Sequence, residues 1–185
     1  MYQETEQTIC TETDKKKEIL NMEPVVIKFK KLDPKAVIPS YAHDGDVGID
    51  MTAISVEYDE KRDMYIYHTG LACESDKWYG MFLFPRSSNS KTEAYLTNGV
   101  GIVDSFLYRG EIQFRYKNRD RYRKGFWEWL AGKVDVERAL KKAPYKVGDR
   151  IGQIVIFPYP KVECWEFNEL SDTERGEGGF GSTGK

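Results

Sequence analysis

The sequence predicts an all-β fold, a barrel or a double sheet rather than an alternating α/β arrangement, and three observations carry that expectation. Short runs rich in β-branched and aromatic residues recur along the chain. Clusters of Gly, Pro, Asn and Asp separate them, and in the folded part only Val136–Lys142 has a helical look. One run also alternates cleanly, with Ile112, Phe114 and Tyr116 on one face and Glu111, Gln113, Arg115 and Lys117 on the other, the period of a half-buried strand.

Taken in order, residues 1–22 are polar and charged, with Lys15-Lys16-Lys17 and no apolar face, and read as a disordered arm rather than a short helix. The β domain is expected over 23–170. It opens with the strand Val25–Lys30, and Pro34, Pro39 and Gly45 then mark an irregular loop. In Gly45-Asp46-Val47-Gly48-Ile49-Asp50-Met51, a carboxylate beside glycines either holds a metal's water shell or caps a turn, and on the residues alone the turn is favoured. Strands are expected at Ile54–Tyr58, Met64–His68, Gly70–Glu74 and Trp78–Phe84. His43 and His68 have no evident partners in the pattern and read as surface or structural histidines.

The run Pro85-Arg86-Ser87-Ser88-Asn89-Ser90-Lys91 is either a polar loop or a phosphate contact, because a guanidinium and paired hydroxyls supply charge-assisted donors. Tyr95–Asp104 and Arg109–Lys117 read as two arms of a hairpin. Gly148–Gln153 opens the apolar strand Ile154–Phe157, which Pro158 and Pro160 stop, and Val162–Phe167 is expected to be the last strand. Ser171-x-x-Glu174 suits a brief capped turn.

Two stretches differ in texture. Residues 118–146 set Arg119, Arg121, Arg123 and Lys124 before Phe126-Trp127-Glu128-Trp129-Leu130. Such a mixture packs its own aromatic face, docks a protein partner, or stacks on single-stranded nucleic acid, in that order of preference. A small helical lobe outside the barrel is expected over 119–142. The last stretch, Arg175–Lys185, places five glycines around Phe180, followed by Ser182 and Thr183. Glycine lets the backbone approach an anion, Arg175 and the hydroxyls add donors, and Phe180 offers a face for a base, so the chemistry is that of a nucleotide clamp. By composition alone it is a flexible Gly-rich tail. The dinucleotide fingerprint and the P-loop are not expected, because both need a strand before and a helix after, and Lys185 is the last residue.

Composition sets outer limits. The 185 residues suit one domain, and 40% hydrophobic with 31% charged residues is ordinary for a globular protein. With 28 basic and 30 acidic residues, the net charge of −2 argues against direct nucleic-acid binding by charge, though not against a small phosphate pocket. Cys10, Cys73 and Cys164 show neither metal-ligand spacing nor a disulfide framework. No signal peptide or membrane span is evident, and the expected location is cytoplasmic.

Five segments, taken together and in order, resemble the trimeric dUTPases (deoxyuridine 5′-triphosphate nucleotidohydrolases). They are GDVGIDMTA, PRSSNSK, NGVGIVDSFLYRGEI, GDRIGQIVI and RGEGGFGSTGK, stretching from Gly45 to Lys185. The resemblance implies a jelly-roll-like β fold, a homotrimer with shared active sites, and Mg²⁺-assisted hydrolysis of dUTP to dUMP and pyrophosphate, which limits uracil in DNA and supplies dUMP. It implies that Asp104 activates the attacking water, and that Asn98, Gly101, Ile102 and Val103 read the uracil edge. It also implies that Tyr108 lies against the deoxyribose, that Arg86, Ser87, Ser88 and Gln153 contact phosphate, and that Asp50 sits near the metal through water. Arg175, Phe180, Ser182 and Thr183 correspond to the arm, 171–185, that closes over the nucleotide.

Two departures from the family stand out. The stretch Asp104-Ser105-Phe106-Leu107-Tyr108 is one residue longer than the family pattern, so either Tyr108 or Phe106 takes the sugar contact. The segment 118–146 exceeds the usual connection and resembles the extra segment of some phage members. Rivals are a dCTP deaminase, which shares the fold but lacks the Gly-rich arm, and a nucleotide-gated regulator docking a protein partner through 118–146.

Overall fold

The computed structural model describes residues 24–119 and 134–178. Among them lie ten strands and one α-helix, so the all-β expectation holds. The strands are β1 (Ile27–Lys31), β2 (Ile49–Thr52), β3 (Ser55–Asp59), β4 (Met64–His68), β5 (Leu71–Ser75), β6 (Tyr79–Phe84), β7 (Ala94–Leu96), β8 (Gly101–Val103), β9 (Gln113–Asn118) and β10 (Arg150–Pro158). The helix, α1, is Val136–Leu140, and a 3₁₀ turn spans Ser87–Lys91. Two four-stranded sheets, β2-β10-β6-β8 and β3-β4-β9-β7, and the pair β1-β5 are antiparallel throughout, in a jelly-roll-like arrangement.

Alternation places the core. In β9, Phe114 and Tyr116 are fully buried while Arg115 faces solvent. Tyr67, Tyr116 and Tyr145 pack edge to face, with centroids 5.2–5.9 Å apart. Each phenol needs a partner when buried. Tyr67 donates to the Tyr145 carbonyl at 3.0 Å, Tyr116 to the Ile151 carbonyl at 2.7 Å, and Tyr145 to Oδ1 of Asn89 at 2.8 Å. Burial pushes all three hydroxyls above their ordinary pKa, so they serve as neutral donors.

Four local expectations are corrected. The Gly45–Met51 stretch is not only a turn, since Ile49–Thr52 is a strand paired with β10. Tyr95–Asp104 is not one hairpin arm. Asn98-Gly99 reverses the chain, Gly99 taking φ +67°, which a side chain would oppose. β7 therefore pairs with β9 while β8 crosses to β6 in the other sheet. Val162–Phe167 forms no strand: no described strand pairs with it, and Val162, Trp165 and Phe167 are all more than 70% exposed. The turn near the C-terminal end is held by Thr173, whose hydroxyl accepts from the Gly176 amide at 3.1 Å, rather than by Ser171.

The described end of the 118–146 segment packs on the barrel instead of standing clear of it. Asp135 caps α1 by accepting from the Arg138 amide, Ala139 is fully buried, and Tyr65 donates to the Ala139 carbonyl at 3.1 Å. Residues 1–22 and the basic and aromatic run Arg121–Leu130 lie outside the described residues.

Candidate active site

Two cavities gather most of the residues singled out from the sequence. The first, of about 420 Å³, opens beside β8 and is lined by Asn98, Gly101, Ile102, Val103, Asp104 and Tyr108, with Glu111, Gln113 and Arg115 along one wall. Among the described residues β8 is the edge of its sheet, so one row of its backbone N–H and C=O groups has no strand partner there. That edge offers a fixed pattern of donors and acceptors to a flat polar ligand. Gly101 sits where a Cβ would come within 2.9 Å of the Leu83 side chain, which keeps this edge close to β6.

The extra residue after Asp104 is taken up by a tight turn. Leu107 and Tyr108 both donate their amides to the Asp104 carbonyl, at 2.8 and 2.7 Å. Phe106 and Leu107 are thereby turned outward, and Phe106 does not line the first cavity. Tyr108 does, with its ring over Gly110 and its hydroxyl donating to the Glu111 carbonyl at 3.2 Å. Ser105 points inward, fully buried, its hydroxyl bonded to that of Ser75.

The second cavity, of about 360 Å³, is lined by Gly48, Asp50, Arg86, Ser87, Arg150 and Gln153, with His43 and Asp46 at its rim. Register explains the gathering: Gln153 lies opposite Asp50 on β2 and Phe84 on β6, so β2 with the loop that precedes it and the loop that follows β6 meet over β10. The Asp50 carboxylate accepts from Arg86 Nε at 2.7 Å and from Arg150 Nη1 at 2.9 Å, lining up two guanidinium groups. Gln153 fits because Gly48 has no side chain; a Cβ there would meet its carboxamide. Ser88 lies just outside, its hydroxyl 3.4 Å from Arg86 Nη1. The 3₁₀ turn carrying Ser87 and Ser88 is anchored by Asn89, which donates to the Ala94 carbonyl and accepts from Tyr145.

Asp50 lines the second cavity, with both its oxygens engaged by arginines. Among the described residues no three His, Cys, Asp or Glu side chains converge as a metal cage. This donor set fits a Mg²⁺ ion that keeps its waters and takes most other oxygens from bound phosphates.

The two cavities share no lining residue. β2 and β8 stand three strand spacings apart in their sheet, about 14 Å. Arg175 lines neither cavity and donates to the Gly178 carbonyl at 2.6 Å, while Phe180, Ser182 and Thr183 lie outside the described residues.

Sequence reasoning passed over Arg150, Glu111 and Arg109. Glu111 was findable, since it shares the outward face of the alternating run with Gln113 and Arg115. It accepts from the Gly70 amide at 2.7 Å and pairs with His68 Nδ1 at 2.7 Å, so His68 is a partnered structural histidine. Burial alone would raise the Glu111 carboxyl, but the bonds from His68, Gln113 and Gly70 outweigh it and hold it below its ordinary value.

Residues 126–184 match the family model described as dUTPase. The deoxyuridine 5′-triphosphate nucleotidohydrolase of Alkaliphilus metalliredigens is 35% identical over 159 residues, covering 85% of this chain and 96% of that one. The chain belongs to the dUTPase family. The Clostridium acetobutylicum nucleotidohydrolase is 33% identical over 86% of this chain and 97% of its own. Among solved structures, the Staphylococcus bacteriophage 80alpha dUTPase with dUPNHPP shares the fold at a TM-score of 0.63 and 24% identity, covering 86% and 99% of the two chains. The dUTPase of Staphylococcus aureus phage phi11, solved to show its species-specific insert, reaches 0.59 at 22% identity over 80% and 99%. As a dUTPase the chain is an enzyme of the nucleotidohydrolase class, and no described helix is long and apolar enough to cross a membrane.

Proposed function

We propose that this dUTPase hydrolyses dUTP to dUMP and pyrophosphate, holding uracil and deoxyribose in the Asp104 cavity and the phosphates against the Arg86 cavity. The observation that carries this reading is that Asp104 and Tyr108 face one cavity with the open edge of β8, despite the lengthened turn. The backbone of Gly101, Ile102 and Val103, with Asn98, hydrogen-bonds the uracil edge, and a base with the wrong pattern leaves buried groups unpaired. Tyr108 packs on the sugar face and leaves no room for a 2′-hydroxyl.

Attack on the α-phosphorus builds charge on phosphate oxygens, so fixed donors contribute more than covalent chemistry. Arg86, Ser87, Ser88 and Gln153 hold those oxygens, and Arg150, aligned with Arg86 by Asp50, adds a further cationic donor. Asp104 accepts the proton of the attacking water. Asp50, through water, and the phosphates would hold Mg²⁺, which supplies charge neutralisation when bound; a structural Mg(II) ion is coordinated in the phage phi11 dUTPase. In the cell, this activity would limit uracil in DNA and supply dUMP.

Each site is completed by other copies in a homotrimer, the Arg175–Lys185 arm closing over the nucleotide through Arg175, Phe180, Ser182 and Thr183. Three features support that arrangement. The two cavities are separate on one chain, β1 pairs among the described residues only with β5, and Val162, Trp165, Phe167 and Leu170 are left exposed.

The test is pyrophosphate release across dUTP, UTP, dTTP and dCTP, for the wild type and Asp104→Asn. Preference for dUTP, and a loss of about 10²–10⁴ in turnover with affinity nearly kept, are expected. Wild-type turnover in the variant refutes the assignment of the base.

A further inference from the structure

We propose that Arg109 is a positioning residue for this reaction: its guanidinium, held by Glu74, braces the turn from Asp104 to Tyr108 so that both side chains reach the cavity together. The role of the turn rests on the dUTP reading above; the way it is held does not.

The turn is weakly closed from within. Its two internal bonds both end on the Asp104 carbonyl, which leaves the carbonyls of Ser105, Phe106 and Tyr108 to find donors elsewhere. Burial secures only its start, at the fully buried Ser105, because Phe106 and Leu107 beyond it are 44% and 78% exposed. Arg109 supplies what is missing. Its Nη1 donates to the Ser105 and Tyr108 carbonyls, each at 3.0 Å, and its Nη2 to the Phe106 carbonyl at 3.1 Å and to Glu74 Oε2 at 2.9 Å.

One side chain therefore gathers three carbonyls of the turn and ties them to β5. Glu74 is itself fixed by Lys28 Nζ at 2.8 Å, and Lys28 first, with Arg109, holds the Glu74 carboxyl below its ordinary value, so it is charged at neutral pH. The neighbouring Ser75 fastens the start of the same turn, its amide donating to the Ser105 carbonyl at 3.2 Å. Two successive residues of β5 thus hold the turn at two points.

The Arg109–Glu74 pair is too exposed to add much to global stability, with side chains 48% and 41% accessible. Its effect is geometric. Only the planar fork of an arginine can serve three carbonyls and a carboxylate at once, and a lysine at this position keeps the charge but loses the brace. Since about 1 Å of misplacement can cost about a hundredfold in rate, freeing the turn should reduce turnover and should loosen the sugar contact of Tyr108 in the same step.

The test compares the full-length wild type with Arg109→Lys, Arg109→Gln and Glu74→Gln. Three quantities are measured: kcat and KM for dUTP and UTP, thermal midpoint, and hydrogen exchange of the Leu107 and Tyr108 amides. For Arg109→Lys the expected result is a kcat for dUTP lower by about 10- to 100-fold, with a dUTP-over-UTP preference reduced several-fold. Exchange at both amides should be faster, and the midpoint nearly unchanged. Glu74→Gln should move the same quantities less. A merely structural arginine would lower the midpoint and leave the dUTP-over-UTP preference alone, and that pattern overturns the proposal. So does unchanged amide exchange in Arg109→Lys, or faster exchange with kcat and preference both intact. Should Arg109→Gln fail to fold, the lysine and Glu74 variants carry the test. A wild type that releases no pyrophosphate from dUTP sinks the dUTP reading instead, and amide exchange then decides the brace on its own.

Discussion

Replacing Gly152 by alanine probes an inner strand of the sheet that carries the Arg86 cavity. β10 lies between β2 and β6, and its register with β2 shifts between Arg150 and Gly152. A Cβ built on Gly152 lands 2.6 Å from Cδ1 and 2.7 Å from Cζ of Phe114, and nearer still to Cε1. The Phe114 ring is fully buried and has no open side to swing into, so either β10 or β9 must move. Overpacking a tight core by one methyl costs about 1–3 kcal/mol, and a rigid aromatic neighbour puts this site near about 3. For a chain of this size that amounts to a fall of about 6–12 °C in thermal midpoint. The assay is thermal unfolding followed by circular dichroism, with Phe114→Leu as the compensating change. Phe114→Leu alone loses ring contacts, but in the Gly152→Ala background it should recover part of the lost midpoint, because the two positions share one volume. A Gly152→Ala protein that melts with the wild type, or a double variant whose losses simply add, would refute the steric argument.

Two further outcomes follow from the site. In Gly110→Ala the new methyl falls on the Tyr108 ring, 2.8 Å from Cε2, and that half-exposed ring can swing aside. Stability should therefore change little, while the kcat/KM preference for dUTP over UTP drops by about tenfold; a preference equal to the wild type's would remove Tyr108 from the sugar contact. The Glu111 carboxyl is depressed in the fold, so its stabilisation is complete above its ordinary value of 4.5 and is lost as pH falls through the lower folded value. Glu111→Gln should accordingly melt below the wild type at neutral pH, with the gap closing on acidification. A gap that widens in acid would reverse the assignment.

The sheet strands were legible where apolar alternation repeated, as in β9, or where an unbroken run of apolar and aromatic residues was bounded by polar turns, as in β4. β2 was not, because only four residues pair and one of them, Asp50, is spent on two arginines from distant parts of the chain. The crossover between β7 and β8 carried a local sign, Asn98-Gly99, but a two-residue turn does not say which sheet receives the next strand. Val162–Phe167 shows the converse limit: its apolar pattern calls for a buried face, yet no described strand covers it. At the site, motif order singled out Asp104 and Tyr108, which line one cavity, and Arg86, Ser87 and Gln153, which line the other. The side chains that hold them were silent, since Arg109 and Arg150 do their work through partners 35 and 100 residues away.

The foot of the 118–146 segment has a consequence for how the barrel can be altered. Asn118 Nδ2 donates to the Lys142 carbonyl at 3.2 Å, so the chain leaves β9 and returns past α1 at one spot. Bonded to one another, Asn118 and Lys142 make the foot of the segment a socket rather than a strut. Doubling the length of chain hung from such a socket adds only about 0.6 kcal/mol of closure entropy. The core needs α1, through Ala139, and the Tyr145 that follows it. That junction is therefore where a reporter peptide or a whole foreign module could be spliced in with the catalytic scaffold left intact.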